Sequence, residues 1–263
     1  MANAKYLKPN ALEARLEQEY QAGSSALRAR REKNQKNILY WGILPCALCP
    51  PLLPIPLFLY YLAGRAGTVE IDPVTYAGAV GEHKTLAMLK HLDDRYTIFN
   101  QVRLPYEKSS TGYREADFVV HGPNGIFVVE SKEYGGNLSG TEHDEQWTSI
   151  KESASGEVYR KSVTNPVRQV KHYCKLVSEI LRDKGAESWV EGIVSLTRDN
   201  STDGVSTTNV TVLPAARVTN YIERFVKRQP HPNSLNVLRE LAQAEKKAAP
   251  SIKIGRASCR ERV

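Results

Sequence analysis

The chain lacks the residues and motifs on which several common kinds of site depend. Its four cysteines, one of them Cys259 near the C-terminus, are too few and too unevenly spaced for a disulfide framework. Cys46 and Cys49 form a CxxC pair with no second pair of ligands, which disfavours a zinc site. The histidines show no HExxH spacing, and neither a GxxxxGK[ST] loop nor a GxSxG elbow is present. The sequence therefore gives no support to an ATP-driven enzyme or a serine hydrolase.

A strong charge of one sign is also lacking. The formal net charge is +7, but residues 254–263 (IGRASCRERV) resemble a translated sequencing adapter, and we exclude them from fold reasoning. Without them the chain has 33 basic and 28 acidic residues and a net charge of +5, and the true C-terminus is expected to be missing or altered after about Lys253. Because part of this surplus lies in a basic cluster at 28–36, the total charge does not by itself indicate a nucleic-acid partner.

The N-terminal part of the chain has the pattern of a membrane-anchored protein. Residues 1–37 are basic, and Leu12, Leu16 and Tyr20 lie at four-residue spacing, which predicts an exposed amphipathic helix. The next 27 residues, 38–64, contain no charged side chain. At about 1.5 Å per helical residue they are long enough to cross roughly 30 Å of hydrocarbon. We therefore predict a membrane segment, with a buried core helix as the alternative.

Five prolines within 38–64 would kink or break a continuous helix, so a bent span and a re-entrant hairpin are both open. Basic residues precede the segment and only Arg65 follows it closely, which predicts a cytoplasmic N-terminus. A single pass would place the following domain outside the cell, whereas a hairpin would keep it inside. We favour the hairpin, and therefore a protein at the cell membrane with its domain in the cytoplasm.

After a predicted linker, 65–77, the pattern becomes that of an α/β domain over 78–230, followed by a C-terminal helix within 231–253. The first helix is predicted over 81–92, with Glu82 in its first turn. Other predicted helices are 165–182, 216–227 and 234–247, and predicted strands are 96–104, 116–121, 126–132, 190–197 and 210–213. This order predicts a mixed sheet flanked by helices.

Two of these strands form a predicted hairpin around Gly122-Pro123-Asn124-Gly125. Strand side chains alternate between faces, so Glu130 and Lys132 share one face. If the turn is centred on Pro123 and Asn124, Asp117 lies opposite Glu130 with Cβ atoms roughly 5 Å apart. A slip of one residue would turn one carboxylate away.

Two converging carboxylates predict a site for a divalent cation with oxygen ligands, Mg²⁺ or Mn²⁺. Such an ion lowers the pKa of a bound water and stabilises charge on a phosphate. Lys132 would orient the water or neutralise the developing oxyanion. Taken singly, Asp117 and Glu130 are equally explained as solvated strand ends, and Lys132 as a lysine protecting a sheet edge.

Several motifs agree with one nuclease superfamily. The spacing of Asp117, Glu130 and Lys132 resembles the core motif of the PD-(D/E)xK nucleases, and within them the chain is similar to NERD (nuclease-related) domains over roughly 78–197. The motifs that carry this similarity are Gly81-Glu82, Glu115-Ala116-Asp117-Phe118-Val119-Val120, Gly122-Pro123-Asn124-Gly125-Ile126-Phe127-Val128, Gly135-Gly136, Trp147 and Asn165-Pro166-Val167-Arg168-Gln169.

The resemblance implies a restriction-endonuclease-like fold and a set of site residues. It implies Asp117 and Glu130 as metal ligands with Glu82 as a further acidic ligand, and Lys132 as the catalytic lysine. Gln169 would lie on the facing helix with Tyr173 four residues on, as in the QxxxY element of RecB-like nucleases. Ala116 stands where the family's motif has proline, and Ser131 lies inside the triplet. For Glu82 the alternative is an acid that stabilises a helix N-terminus, and for Gln169 a surface position.

These features favour a metal-dependent nuclease that hydrolyses phosphodiester bonds, in DNA rather than RNA. Arg103, Lys108 and Arg114 precede the hairpin and are candidates for phosphate contacts, although solvated charges explain them equally well. The alternative is a catalytically inactive domain of the same fold that serves as a membrane-bound nucleic-acid-binding or scaffold module, because fold does not imply function.

Overall fold

The structure is a computed structural model that describes residues 11–39, 61, 73–153, 155–198, 202–226 and 229–248. Most of the predicted membrane segment 38–64 and the whole adapter-like tail 254–263 lie outside these ranges. Within them, no helix is both long enough and apolar enough to cross a membrane.

The chain divides into two compact units, one of Pro9–His83 and one of Lys84–Val263 together with Met1–Lys8. The first unit contains helix α1 (Ala11–Ile38), and the second part of α1 is largely exposed, as predicted. Helix α2 (Pro73–Leu89) begins within the predicted linker, because proline is well tolerated at the first helical position. Glu82 therefore lies in the body of α2, and its predicted place in a first helical turn is wrong.

The second unit contains a mixed five-stranded sheet, as predicted. Its strands, in spatial order, are β1 (Thr97–Pro105), β2 (Tyr113–Gly122), β3 (Gly125–Lys132), β7 (Val190–Leu196) and β9 (Val210–Pro214). Strands β1, β2 and β3 are antiparallel, whereas β3, β7 and β9 are parallel. In the β2–β3 hairpin Phe118 pairs with Val129 and Val120 with Phe127, which confirms the predicted register.

Apolar side chains cover both faces of this sheet, and helices pack against each face. Val119 and Val128 belong to the core cluster that includes Val170 of α3 (Pro166–Asp183). On the other face Phe127 shares a core cluster with Ile222 of α4 (Ala215–Arg224). A strand buried on both faces needs a nearly continuous apolar run, which explains the sequences before Glu130 and after Asp117. Helix α5 (Ser234–Ala248) is the last described element, and it lies where a helix over 234–247 was predicted.

A second sheet was not predicted from the sequence. It has four short strands in the order β6 (Val158–Thr164), β5 (Gln146–Glu152), β4 (Asn137–Thr141) and β8 (Gly204–Ser206). Most residues of β6 are exposed, so the alternation of apolar and polar side chains that reveals a half-buried strand is absent there. Trp147 joins this sheet to the core around α3, and its Nε1 donates a hydrogen bond to the Thr141 carbonyl oxygen at 2.8 Å.

Asn165 ties the β4–β5 hairpin to the start of α3. Its side-chain oxygen caps the helix by accepting a hydrogen bond from the Val167 N–H at 3.0 Å. Its amide nitrogen donates to the carbonyl oxygens of Thr141 at 3.1 Å and Asp144 at 2.7 Å. With 1% of its surface exposed, Asn165 is a buried connection between α3 and a hairpin that was not predicted from the sequence.

Candidate functional site

The carboxylate of Glu130 is the centre of the candidate site. It lies near the end of β3 and is 2% exposed. Its Oε1 accepts hydrogen bonds from Lys132 Nζ at 2.8 Å and from Gln169 Nε2 at 2.6 Å. Gln169 Nε2 also donates a hydrogen bond to the Tyr173 hydroxyl oxygen at 2.9 Å. Strand alternation brings Glu130 and Lys132 together, and the four-residue spacing on α3 does the same for Gln169 and Tyr173.

Asp117 lies on β2 beside this group and is partly buried. The β2–β3 ladder has Phe118 and Val129 as its last pair on this side, one residue before Asp117 and Glu130. Beyond that pair, Asp117 Oδ2 accepts a hydrogen bond from the Ser131 N–H at 2.8 Å. The Asp117 carboxylate thus connects the two strands by a side-chain hydrogen bond just beyond the last ladder pair. The register brings Asp117 next to Glu130 at this point.

Ser131, the unusual residue inside the triplet, points to the opposite face of β3. Its hydroxyl oxygen lies 3.0 Å from Thr85 Oγ1, which in turn lies 2.9 Å from Ser195 Oγ on β7. All three side chains are buried. Ser131 therefore connects the ends of β3 and β7 to α2 through hydroxyl groups. Its side chain does not lie on the face of β3 that carries Glu130.

Lys132 is a cation in this setting. Burial by itself lowers the pKa of the ammonium group, but the negative charges of Glu130 and Asp117 and the hydrogen bond to Glu130 outweigh burial and raise it. Lys132 therefore supplies a positive charge and a hydrogen-bond donor beside Glu130.

Tyr173 stays protonated for a related reason. Burial raises the pKa of its hydroxyl, and the charge of Glu130 raises it further, whereas the hydrogen bond with Gln169 acts in the opposite direction. The hydroxyl is therefore a neutral partner for Gln169, which in turn orients Glu130.

Gln101 belongs to the same neighbourhood, and sequence reasoning missed it. Its φ of 48° is unusual for a residue other than glycine, and it is 6% exposed. In the β1–β2 register Asn100 pairs with Phe118 and Val102 with Ala116, so the register passes over Gln101, which stands opposite Asp117. Both ladders are thus interrupted around Asp117, a local irregularity of the kind that re-aims side chains next to active sites. A glutamine within a strand carries no sequence signal for a positive φ.

The backbone strain at Gln101 can be measured by comparing two substitutions. The free energy of unfolding of Gln101→Gly is expected to be about 1 kcal/mol higher than that of Gln101→Ala, because alanine is strained in the left-handed region and glycine is not. Urea denaturation of both variants measures the difference. Asn100 is the matched control, since its pairing is regular: there the alanine variant should be the more stable one. If the alanine variant is also the more stable one at position 101, the backbone of Gln101 is unstrained.

A cleft of about 490 Å³ opens beside the group. It is lined by Tyr173 and by Gln169, which donates a hydrogen bond to Glu130, and its walls include the cationic side chains of Arg114 and Arg168. The Arg114 guanidinium also lies 5.5 Å from the centre of the Tyr106 ring. Of the side chains predicted to contact phosphate, Arg114 therefore faces this cleft. Arg103 instead lies 3.6 Å from Glu115 and stacks over Tyr113, and Lys108 lies exposed between β1 and β2.

The donor chemistry fits a hard divalent cation. Mg²⁺ keeps several waters and binds proteins through one or two carboxylates together with substrate phosphates, which the pair of Asp117 and Glu130 can provide. Among the described residues, no group of three or more His, Cys, Asp or Glu side chains is placed to hold a metal ion. Glu82 lies on α2 in the other compact unit, and its role as a metal ligand stays a prediction.

Comparison with known proteins gives one match. Residues 77–197, a little under half of the chain, match the family described as "Nuclease-related domain" (NERD). This stretch agrees with the 78–197 that the motifs indicated, and it contains the whole group around Glu130. The mixed sheet flanked by helices is consistent with a nuclease-like fold. Neither the curated proteins nor the solved structures contain a match to the chain.

Proposed function

We propose that this protein is a metal-dependent nuclease that hydrolyses phosphodiester bonds, in DNA rather than RNA. The observation that carries the proposal is the buried Glu130 carboxylate, held by Lys132 and Gln169 next to Asp117. These residues lie within the stretch that matches a nuclease-related domain. Buried charged groups converge in this way at catalytic sites more often than in the structural core.

In this proposal Asp117 and Glu130 hold Mg²⁺ or Mn²⁺, which when bound supplies Lewis acidity to the phosphate and a water of lowered pKa. Gln169 fixes the orientation of Glu130 through its 2.6 Å hydrogen bond. Lys132 places a permanent positive charge at the site, where it stabilises the negative charge that develops on the phosphate oxygens.

The cleft beside Gln169 is the proposed path of the nucleic acid. Arg114 and Arg168 lie on its walls, and cationic side chains of this kind bind backbone phosphates without reading the sequence. Arg168 Nη1 lies 3.7 Å from Glu145, whose carboxylate is exposed and exchanges readily for a phosphate. This arrangement supports recognition of the phosphate backbone.

One observation favours a second candidate function. The described residues contain a pair of carboxylates but no larger group of metal-binding side chains. A nuclease-like domain with an incomplete set of ligands would retain the fold and the cationic cleft, and would serve as a nucleic-acid-binding or scaffold module. Binding of DNA without any cleavage would distinguish this module from an enzyme.

We also propose that residues 38–64 attach the protein to the cell membrane, with the nuclease-like domain on the cytoplasmic side. The support is the sequence alone: 27 residues without a charge, five prolines that allow a hairpin, and a basic cluster before them. Cytoplasmic DNA would then be within reach of the domain.

The proposal is tested by incubating the purified protein with plasmid DNA, linear DNA and RNA, each with Mg²⁺, with Mn²⁺ and with a chelator. We expect cleavage of DNA that requires either metal and stops in the chelator. If RNA is cleaved with metal and DNA is not, the substrate is RNA rather than DNA. If the folded protein cuts neither nucleic acid with either metal, the enzyme proposal is wrong, and DNA binding in the same samples would then support the scaffold module.

A further inference from the structure

A second cleft lies across the carboxyl ends of the parallel strands β3 and β7. Its volume is about 660 Å³, and its walls include Lys84, Glu133, Gly135, Gly136, Lys151 and Arg198. Glu133 directly follows Lys132, and neighbouring side chains in an extended chain point to opposite sides. This cleft, which we call the glycine cleft, therefore lies at the same strand end as Lys132 and opens on the opposite side of β3 from the Glu130 carboxylate. Ligands of α/β proteins bind preferentially outside the carboxyl ends of parallel strands.

Two cationic groups converge in the glycine cleft at the place where Gly135 has no side chain. A Cβ atom on Gly135 would lie 2.7 Å from both Cε and Nζ of Lys151 and 3.2 Å from Arg198 Nη1. The end of the Lys151 side chain therefore occupies the space above the glycine, with the Arg198 guanidinium beside it. Two like charges that lie close together repel, so an anion in the cleft beside them stabilises this arrangement.

Arg198 is held in place from its other side. Its Nε lies 2.9 Å from the buried Glu133 carboxylate, which also lies 3.4 Å from Lys84 Nζ. Burial by itself raises the pKa of Glu133, but the hydrogen bonds from Thr197 and Arg198 and the charge of Lys84 outweigh burial and lower it. Glu133 is therefore an anion that fixes one edge of the guanidinium and leaves Nη1 directed at Gly135. Within the described part of the chain Lys151 forms no ion pair.

We propose that Lys151 and Arg198 form a phosphate subsite for the nucleic-acid backbone, with Gly135 leaving room for the Lys151 side chain beside the guanidinium. Two cationic groups held side by side suit a small tetrahedral anion such as a phosphate group. The proposal rests on the proposed function.

Packing is the competing explanation for Gly135, because the Lys151 side chain crosses directly over it. Packing alone predicts that Gly135→Ala lowers stability without changing the dependence of DNA binding on salt. The phosphate subsite predicts that Gly135→Ala weakens binding because the added methyl group displaces the Lys151 ammonium from its place beside Arg198, although no charge is lost.

The test measures binding of a short fluorescein-labelled DNA duplex to the whole protein in chelator, across a range of salt concentrations. Lys151→Gln is expected to reduce the slope of log affinity against log salt by about 0.9, the value for one lost phosphate contact. Gly135→Ala should reduce the slope in the same direction, and Lys151→Arg should restore it. The matched control is Lys184→Gln, which removes an exposed lysine at the far end of α3 and should leave the slope unchanged.

The outcomes separate this subsite from the proposed function. If Lys151→Gln changes the slope no more than Lys184→Gln while the parent protein still binds and cuts DNA, the subsite is wrong and the nuclease stands. If the parent protein neither binds nor cuts DNA, both proposals fall. Because Lys151 is exposed, Lys151→Gln is expected to fold even if Gly135→Ala does not.

Discussion

Lys132→Met is expected to lower the rate of metal-dependent DNA cleavage by about 10²- to 10³-fold, the usual loss when one preorganised donor to a developing oxyanion is removed. The ammonium is the positive charge closest to Glu130, at 2.8 Å, and methionine keeps the length of the side chain without that charge. Glu130→Gln should lose at least as much activity, because a neutral amide replaces a proposed metal ligand. Single-turnover cleavage of plasmid DNA at saturating Mg²⁺ measures both effects.

The control for this experiment is a second lysine in a similar ion pair. Lys171 Nζ lies 2.8 Å from the buried carboxylate of Glu142, but this pair belongs to neither the Glu130 group nor either cleft. Lys171→Met is therefore expected to lower the free energy of unfolding, as Lys132→Met is, but to cleave DNA at the rate of the parent protein. If Lys132→Met cuts as fast as Lys171→Met at equal folded fractions, Lys132 has no catalytic role.

Asn165→Ala is expected to lower the free energy of unfolding by about 2–4 kcal/mol. Loss of the helix cap at Val167 costs about 1 kcal/mol. The carbonyl oxygens of Thr141 and Asp144 lose a buried donor as well, and an unsatisfied buried polar group costs about 1–3 kcal/mol. Urea denaturation followed by circular dichroism measures the change.

Asn165→Ser separates the two contributions. Serine retains a side-chain oxygen that can cap α3, but it cannot reach the two hairpin carbonyl oxygens with an amide group. Its loss of stability is expected to be about 1 kcal/mol smaller than that of the alanine variant. Equal stability of Asn165→Ala and the parent protein would show that Asn165 does not join the hairpin to α3.

Local patterns predicted the parts of the fold that depend on neighbouring residues. The alternation in β2 and β3 and the turn at Gly122-Pro123-Asn124-Gly125 predicted a hairpin in the register that is observed. The helix predicted over 165–182 is α3, and Asn165 is its N-cap. The second sheet was missed because its strands are short and exposed, and their stability depends on pairing with one another rather than on an apolar face.

The candidate site was predicted in part. Strand alternation brought Glu130 and Lys132 to one face, and resemblance to a family added Gln169, which the structure places 2.6 Å from Glu130. The catalytic and metal-binding roles of these residues stay predictions. Gln101 was missed because its conformation depends on two ladders that meet at Asp117, and a glutamine has no intrinsic preference for a positive φ.

The sequence by itself determined the hairpin, its register and the shared face of Glu130 and Lys132, because these follow from the period of a strand and the chemistry of a turn. Only the tertiary structure decided which distant side chains meet. Gln169 reaches Glu130 from a helix, and Lys151 and Arg198 converge on Gly135 from different strand ends. Such contacts depend on how sheets and helices pack in three dimensions, and no local pattern of residues specifies that packing.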